Sequence, residues 1–110
     1  MSESTLVTAC LMLLKAHRIR AWRQNAGSMA ASAGGKRYWM RLGEKGMSDI
    51  GGVLPDGRYL AVECKRPGNR LTLEQRAFLV DVNARGGAGI VVWSSDQLER
   101  ELRGRGLWSA

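Results

Sequence analysis

Between residues 59 and 93 the chain presents a strand, a capped helix and a second strand, and this run constrains the fold more than any other feature. Tyr59, Leu60, Val62 and Cys64 carry a strand that breaks at Arg66-Pro67-Gly68-Asn69-Arg70, where proline lacks the donor a ladder needs. Thr72 followed three residues later by Gln75 is a capping box. Leu73, Ala77, Val80 and Ala84 predict a core-facing stripe on the helix it opens, which ends at Gly86-Gly87. Gly89 to Trp93 holds Ile90, Val91 and Val92 in succession, the pattern of a strand buried on both faces. Strands joined through a helix of about 14 residues form a right-handed parallel crossover, which makes the chain α/β.

The preceding residues supply the other elements. Leu6, Val7, Cys10, Leu11, Leu13 and Leu14 recur at helical spacing over residues 3–16, with Ser2 as N-cap and Glu3 in the first turn, where unpaired amides favour a carboxylate. Residues 18–24 read as a half-buried strand, 25–37 as a loop of small residues ending in positive charge, and Tyr38, Met40 and Leu42 as a second strand. Pro55-Asp56-Gly57-Arg58 is a turn, proline setting one dihedral and glycine supplying positive φ, so residues 50–65 form a hairpin whose second strand is central. Asp96 and Glu99 predict the cap of a last short helix through Arg103, after which Leu107 and Trp108 fold back on the core. With no internal repeat and no linker, residues 1–110 read as a single domain.

Seventeen Lys and Arg against ten Asp and Glu leave a net charge of +7, carried by 13 Arg and only 4 Lys. Guanidinium forks suit phosphate oxygens, so nucleic acid is the first partner to consider. Cys10 and Cys64 lie in apolar stretches without a Cys or His neighbour, which predicts buried free thiols in a reducing compartment and excludes a disulfide framework. No 18-residue apolar run is present, and the first residues lack the positive charge of a secretory signal, so the expectation is a cytoplasmic protein with no membrane partner.

The chemistry is concentrated in Gly46-Met47-Ser48-Asp49-Ile50 and Glu63-Cys64-Lys65, with 13 residues between Asp49 and Glu63. On a strand Glu63 and Lys65 share one face and Cys64 takes the other. Pairing of residues 50–54 with 59–63 returns Asp49 to Glu63. Two carboxylates at one point in a basic protein form a hard oxygen site for Mg²⁺ or Mn²⁺, with the Cys64 carbonyl available as a further ligand. Such a site suits phosphodiester hydrolysis: the metal polarises phosphate and acidifies a bound water, while Lys65 orients that water or offsets charge at phosphorus. Taken singly, Glu-X-Lys is a solvated strand face and Asp49 a loop cap; the combination carries the metal-site reading.

In that order, Gly46-X-Ser48-Asp49-Ile50, Val62-Glu63-Cys64-Lys65-Arg66-Pro67-Gly68, Leu71-Thr72, Gln75 and Phe78-Leu79 resemble the PD-(D/E)xK nuclease superfamily and most closely its VRR-NUC branch. Trp22-Arg23-Gln24-Asn25-Ala26-Gly27 and the stretch from Gly86 to Val92 match its other segments, so the resemblance covers nearly the whole chain. It implies a restriction-endonuclease-like αβββαβ core with a mixed sheet flanked by helices. It also implies Asp49, Glu63 and the Cys64 carbonyl as metal ligands, Glu3 assisting directly or through water, Lys65 as catalytic lysine, and Gln75 reaching back to the site. Ser48 stands where the superfamily has proline.

Arg18, Arg20, Arg23, Lys36, Arg37, Arg41, Arg66 and Arg70 bracket the site in sequence and are expected to meet phosphates, Arg23 foremost. Trp22, Trp39, Trp93 and Trp108 read as core or interface residues, with Leu107-Trp108 or Trp39-Met40 as a candidate interface patch. His17 is expected near the negative end of the first helix, with no catalytic task. The activity expected is metal-dependent DNA endonuclease cleavage by direct attack of water. The resemblance further implies a homodimer acting on branched DNA such as four-way junctions, of a kind many phages encode. The alternatives are a duplex endonuclease of restriction type and a non-catalytic DNA-binding module with the same fold.

Overall fold

A computed structural model of the chain describes residues 2–24, 28–41 and 44–108, without the side chains at 28–31 and 38–41. Helix α1 spans Glu3–Ala16, and Ser2 caps it by accepting from the Thr5 N–H at 3.1 Å. Leu6, Val7, Cys10 and Leu14 form its buried face. The helix stops at His17, and Arg18 takes φ +60° so that the Ile19 N–H turns back to the Leu14 carbonyl. The His17 ring lies 3.5 Å from that of Trp108. Leu107 and Trp108 pack on the core as expected.

Strands β1 (Arg20–Arg23), β4 (Ile50–Val53), β5 (Tyr59–Cys64) and β6 (Ala88–Val92) form one sheet in the order β1-β4-β5-β6, antiparallel except for the parallel β5–β6 pair. The hairpin and the crossover are those read from the sequence, and β5 is internal to the sheet. Together with α1 and α2 (Leu73–Ala84) these strands make the αβββαβ core. Leu60, Val62 and Cys64 of β5 and Ala88, Ile90 and Val92 of β6 join α1 and the Leu98 and Leu102 side chains of α3 (Ser95–Gly104) in the core cluster. Both cysteines are free and buried. Among the described residues no helix is long and apolar enough to cross a membrane.

Three local readings are corrected. Residues 28–33, expected within a loop, form strand β2 (Ser28–Ala33), which pairs with β3 (Lys36–Arg41) in a hairpin of its own. Ser and Ala show no alternation, and the strand exists through its pairing; Gly34 and Gly35, at φ +58° and +77°, supply the tight turn. The second correction concerns α2, whose capping box is formed as expected but whose stripe points outward. Leu73 and Val80 are 85% and 58% exposed, whereas Leu79 is buried and Phe78 and Val82 are half-buried. The seat on β6 decides this. A Cβ on Gly89 would sit 2.7 Å from the Leu79 carbonyl oxygen, and the Asn83 amide grips Gly89 through its N–H (2.8 Å) and C=O (3.1 Å), so the helix is locked with Leu79 against the sheet and Asn83 bonded to the β6 backbone. Thirdly, α3 is capped by Ser94 and not by Asp96: Ser94 Oγ accepts from the Gln97 N–H at 3.2 Å, and Gln97 Oε1 accepts from the Trp93 N–H at 2.6 Å.

Gly46 lies at φ +83° with its Cα against the Glu74–Gln75 backbone at the start of α2, where a Cβ would collide with the Glu74 carbonyl group. Gly57 has a similar φ, +91°, with open space around it. Gly57→Ala should therefore cost about 1 kcal/mol, the backbone penalty alone, and Gly46→Ala about 2–4 kcal/mol, because steric displacement adds to it. Urea denaturation of the two variants checks the difference; equal losses would mean that the 44–49 loop does not seat on α2.

Candidate active site

Strand β5 builds the site by its alternation. Its even positions enter the core, and Glu63 and, one step on, Lys65 emerge on the opposite face, 2% and 8% exposed. Asp49 arrives at the head of β4, where its Oδ2 accepts from the Cys64 N–H at 2.9 Å. The predicted return of Asp49 to Glu63 is therefore what the hairpin produces, and the two carboxyl groups lie close enough for Asp49 to act on Glu63.

A polar network holds the Asp49 loop in place. The Gln24 N–H donates to the Asp49 carbonyl at 2.7 Å. Its Nε2 donates to Ser48 O (3.1 Å) and Ser48 Oγ (3.2 Å), and its Oε1 accepts from the Tyr59 hydroxyl (2.9 Å). Ser48 is buried and donates in turn to the Ile50 carbonyl at 2.8 Å. Gly51 leaves room for this cluster, since a Cβ there would run into the Gln24 carboxamide. Where a proline would stiffen the loop through its ring, Ser48 does so through hydrogen bonds at both ends of the Ser48–Ile50 segment.

Burial pushes the Glu63 carboxyl up to about 9, with the hydrogen bond and negative charge of Asp49 adding to the rise and the Lys65 charge opposing it. Glu63 thus keeps its proton near neutrality, and its Oε2 is left buried without a hydrogen-bond partner. A divalent cation fits this donor set: it would replace the Glu63 proton, satisfy the orphaned oxygen and leave that carboxylate ionised. Glu3 does not join the pair directly. Its Oε2 accepts from the Asn69 Nδ2 at 3.0 Å and from the Arg66 N–H at 3.3 Å, and these bonds, with the charges of Lys65 and Arg66, hold it below its ordinary value. Among the described residues no three His, Cys, Asp or Glu side chains gather as a metal-binding group.

Comparison with known families supplies the context for this geometry: the VRR-NUC domain model matches residues 7–96. The chain belongs to the VRR-NUC family. No curated protein matches it. The VRR-NUC domain is a nuclease domain, and the match includes Asp49, Glu63, Lys65 and Gln75 but neither Glu3 nor most of α3.

The other residues singled out in the sequence are dispersed around this VRR-NUC site. Gln75 is used in the capping box, its Oε1 accepting from the Thr72 N–H at 2.9 Å, and it makes no hydrogen bond to Asp49, Glu63 or Lys65 among the described residues. Arg66 and Arg70 are exposed on the loop after β5. Arg23 stands at the site end of β1, opposite Ile50, but its Nη2 donates to Ser4 O and Thr8 Oγ1, both at 3.3 Å, and ties β1 to α1. Arg20 is level with Val53, three residues or roughly 10 Å farther along the sheet, and Arg18 lies beyond it. Lys36 and Arg37 are exposed on β3, and the Arg41 side chain lies outside the described residues. Trp22 and Trp93 are 42% and 37% exposed, so neither is a core residue. Sequence reasoning missed Asn69, Tyr59 and the role of Gln24. Their signal was only proximity in sequence to the motifs, because each acts through a hydrogen bond that the fold alone creates.

A carboxyl raised by burial makes the folded protein keep a proton that the unfolded chain releases, so in the absence of divalent metal stability falls as pH rises from about 4.5 to about 9. Glu63→Gln should flatten that fall and stabilise the metal-free protein at pH 8 by roughly 1–3 kcal/mol. Adding Mn²⁺ should raise the thermal midpoint of the wild type at pH 8 and leave that of Glu63→Gln unmoved. Calorimetry from pH 5 to 9 with and without the metal reads both effects, and superimposable profiles for the two proteins would refute the account of Glu63.

Proposed function

We propose that this VRR-NUC domain is a divalent-metal-dependent DNA endonuclease that uses Mg²⁺ or Mn²⁺ and works as a homodimer on branched DNA in the cytoplasm. The observation that carries the reading is the buried, partnerless Glu63 Oε2 beside the Asp49 carboxylate. A binding module would gain nothing from two carboxylates set against phosphate. Asp49, Glu63 and the Cys64 carbonyl would hold the metal, with Glu3 contributing through water. Bound there, the cation would polarise the phosphodiester and acidify the attacking water.

The remaining work falls to the chain's own groups. Lys65 lies next to Glu63 and would offset the negative charge that the attacking oxygen and the phosphoryl oxygens gain, an interaction stronger in the transition state than in the ground state. Its burial strengthens that interaction, since little water screens it. Arg66 and Arg70, exposed on the loop after β5, would meet phosphates flanking the scissile one, a sequence-independent grip. Asn69 holds Glu3, and through it the turn that follows Lys65, so both act as positioning residues.

Purified protein incubated with flaps, forks, four-way junctions and linear duplex, in Mg²⁺, Mn²⁺ or EDTA, is the direct test. Full activity in EDTA sinks the metal reading. Asp49→Ala or Glu63→Ala should abolish cleavage while leaving metal-free DNA binding equal or tighter, as negative charge next to phosphate is removed. Lys65→Ala should lower the single-turnover rate by roughly 10²-fold or more with little change in affinity. A variant that binds weakly but cleaves bound DNA at the wild-type rate would reassign Lys65 to a phosphate contact.

The dimer follows from symmetry as well as from the resemblance. Each chain carries one site, and resolving a four-way junction takes two cuts related by a two-fold axis. Sedimentation equilibrium at micromolar concentration should give twice the chain mass, and a strictly monomeric mass would end that part of the reading. On a cruciform plasmid, paired cuts within one binding event are expected. Linear duplex cut as fast as the junction would remove the shape preference and leave the metal chemistry standing.

A further inference from the structure

The geometry points to a second DNA subsite: the groove between the free edge of β6 and the outer side of α3 takes a nucleotide flanking the scissile phosphate, its base against Trp93 and its phosphate at Arg100. This rests on the nuclease reading and extends the substrate surface to a part of the molecule that reading does not use.

The sheet itself sets the placement. Glu63 and Val91 are register partners on parallel strands, so their side chains project from the same face, and Trp93 follows directly after the end of β6, where the Lys65 N–H bonds the Val92 carbonyl at 2.9 Å. Trp93 therefore stands at the site end of β6, and its indole reaches the loop that follows Lys65. Among the described residues β6 is an edge strand, with no strand paired to its outer side. What lies there is a groove of about 530 Å³ lined by Val91, Trp93, Gln97, Arg100 and Arg105 with Glu101, a volume within the usual range for ligand sites of roughly 300–1,000 Å³.

The lining fits a nucleotide. Trp93 keeps 37% of its surface exposed, and its Nε1–H donates to the Asn69 carbonyl at 3.2 Å. The indole is therefore fixed in orientation by the same residue whose side chain holds Glu3. An immobilised, exposed aromatic face offers a base a stacking surface with little left to lose in side-chain freedom. The charges are equally selective. Glu101 is paired with Arg105 at 3.3 Å, which leaves Arg100 as the lining cation in no ion pair among the described residues. An aromatic face and one uncompensated guanidinium next to a phosphodiester site make an anionic aromatic ligand, a nucleotide, the matching occupant. The VRR-NUC match ends at residue 96, so Arg100 and Arg105 lie outside the matched segment.

The experiment compares Arg100→Ala with Arg58→Ala, a control at the opposite end of β5 that removes the same charge. Fluorescence anisotropy of a labelled four-way junction in EDTA, titrated over a range of salt, gives affinity and its salt slope. Arg100→Ala should weaken binding several-fold and reduce the slope by about one, whereas Arg58→Ala should leave the slope unchanged. Trp93→Phe, which keeps a stacking face, should stay within about twofold of the wild type, and Trp93→Leu should lose roughly tenfold. With 5-iodouracil next to the cut position, irradiation should cross-link Trp93. If the wild type binds and cuts DNA while the two arginine variants behave alike and no cross-link maps to Trp93, the subsite is wrong and the nuclease reading stands. If the wild type neither binds nor cuts any DNA, both fall together.

Discussion

The contact between the Asp49 and Glu63 carboxyl groups is the interaction around which the rest of the molecule is arranged. Two acids that would repel each other in water are forced together under burial, and the cost appears as a raised Glu63 and an oxygen with no partner. Nothing local stabilises such a pair, so the surrounding fold must hold it. The holding is done by hydrogen bonds to backbone: Asp49 Oδ2 on the Cys64 N–H, the Gln24 N–H on the Asp49 carbonyl, and the Ser48 hydroxyl across to Ile50. An unfavourable pair that the scaffold maintains is what a cation-binding site looks like from the protein's side, because the missing charge is the one the ligand brings.

Strand β5 makes this possible by serving two environments at once. Cys64 and Val62 are fully buried in the core cluster, and Glu63 between them is almost as inaccessible on the other face. Central position in the sheet is what removes water from both faces, and the α2 helix seated on β6 closes the side where the carboxyl sits. A more exposed strand would have left Glu63 ionised and salt-bridged to Lys65, with a weaker demand for a cation. The buried pairing therefore ties the chemistry to the stability of the crossover: loosening α2 would hydrate the site and relax the acids together.

Much of this was legible in the sequence because it rests on periodicity. Alternation placed Glu63 and Lys65 on one face, turn chemistry at Pro55–Arg58 set the hairpin, and the Thr72–Gln75 box marked where α2 begins. Legibility failed where packing outranked pattern. The α2 stripe of Leu73, Ala77, Val80 and Ala84 was read as the core face, yet the glycine seats on β6 and the Asn83 grip on Gly89 choose a different rotation. The β2 strand has too little side-chain pattern to announce itself and forms by pairing across Gly34-Gly35. At the site, the residue types were readable and the wiring was not: Glu3 turns to Asn69 and Arg66, Gln75 to its own cap, and Arg23 to α1.

The charge pattern carries the same logic outward. Five ion pairs lie on the surface among the described residues, and each consumes one of the ten acids next to a lysine or arginine. Exposed pairs of this kind add little stability, so their main effect is to erase local charge. The acids in none of these pairs are Glu3, Glu44, Asp49, Glu63 and Asp96, and three of the five converge about Lys65. The acids outside these pairs thus gather largely at one point, while the net charge of +7 is carried by an excess of arginine. A polyanion approaching this protein meets attraction over the surface, and a cation bound at the carboxylates would extend that attraction to the site. Binding along the chain's surface and chemistry at one phosphate are then separate consequences of where the few unpaired carboxylates lie.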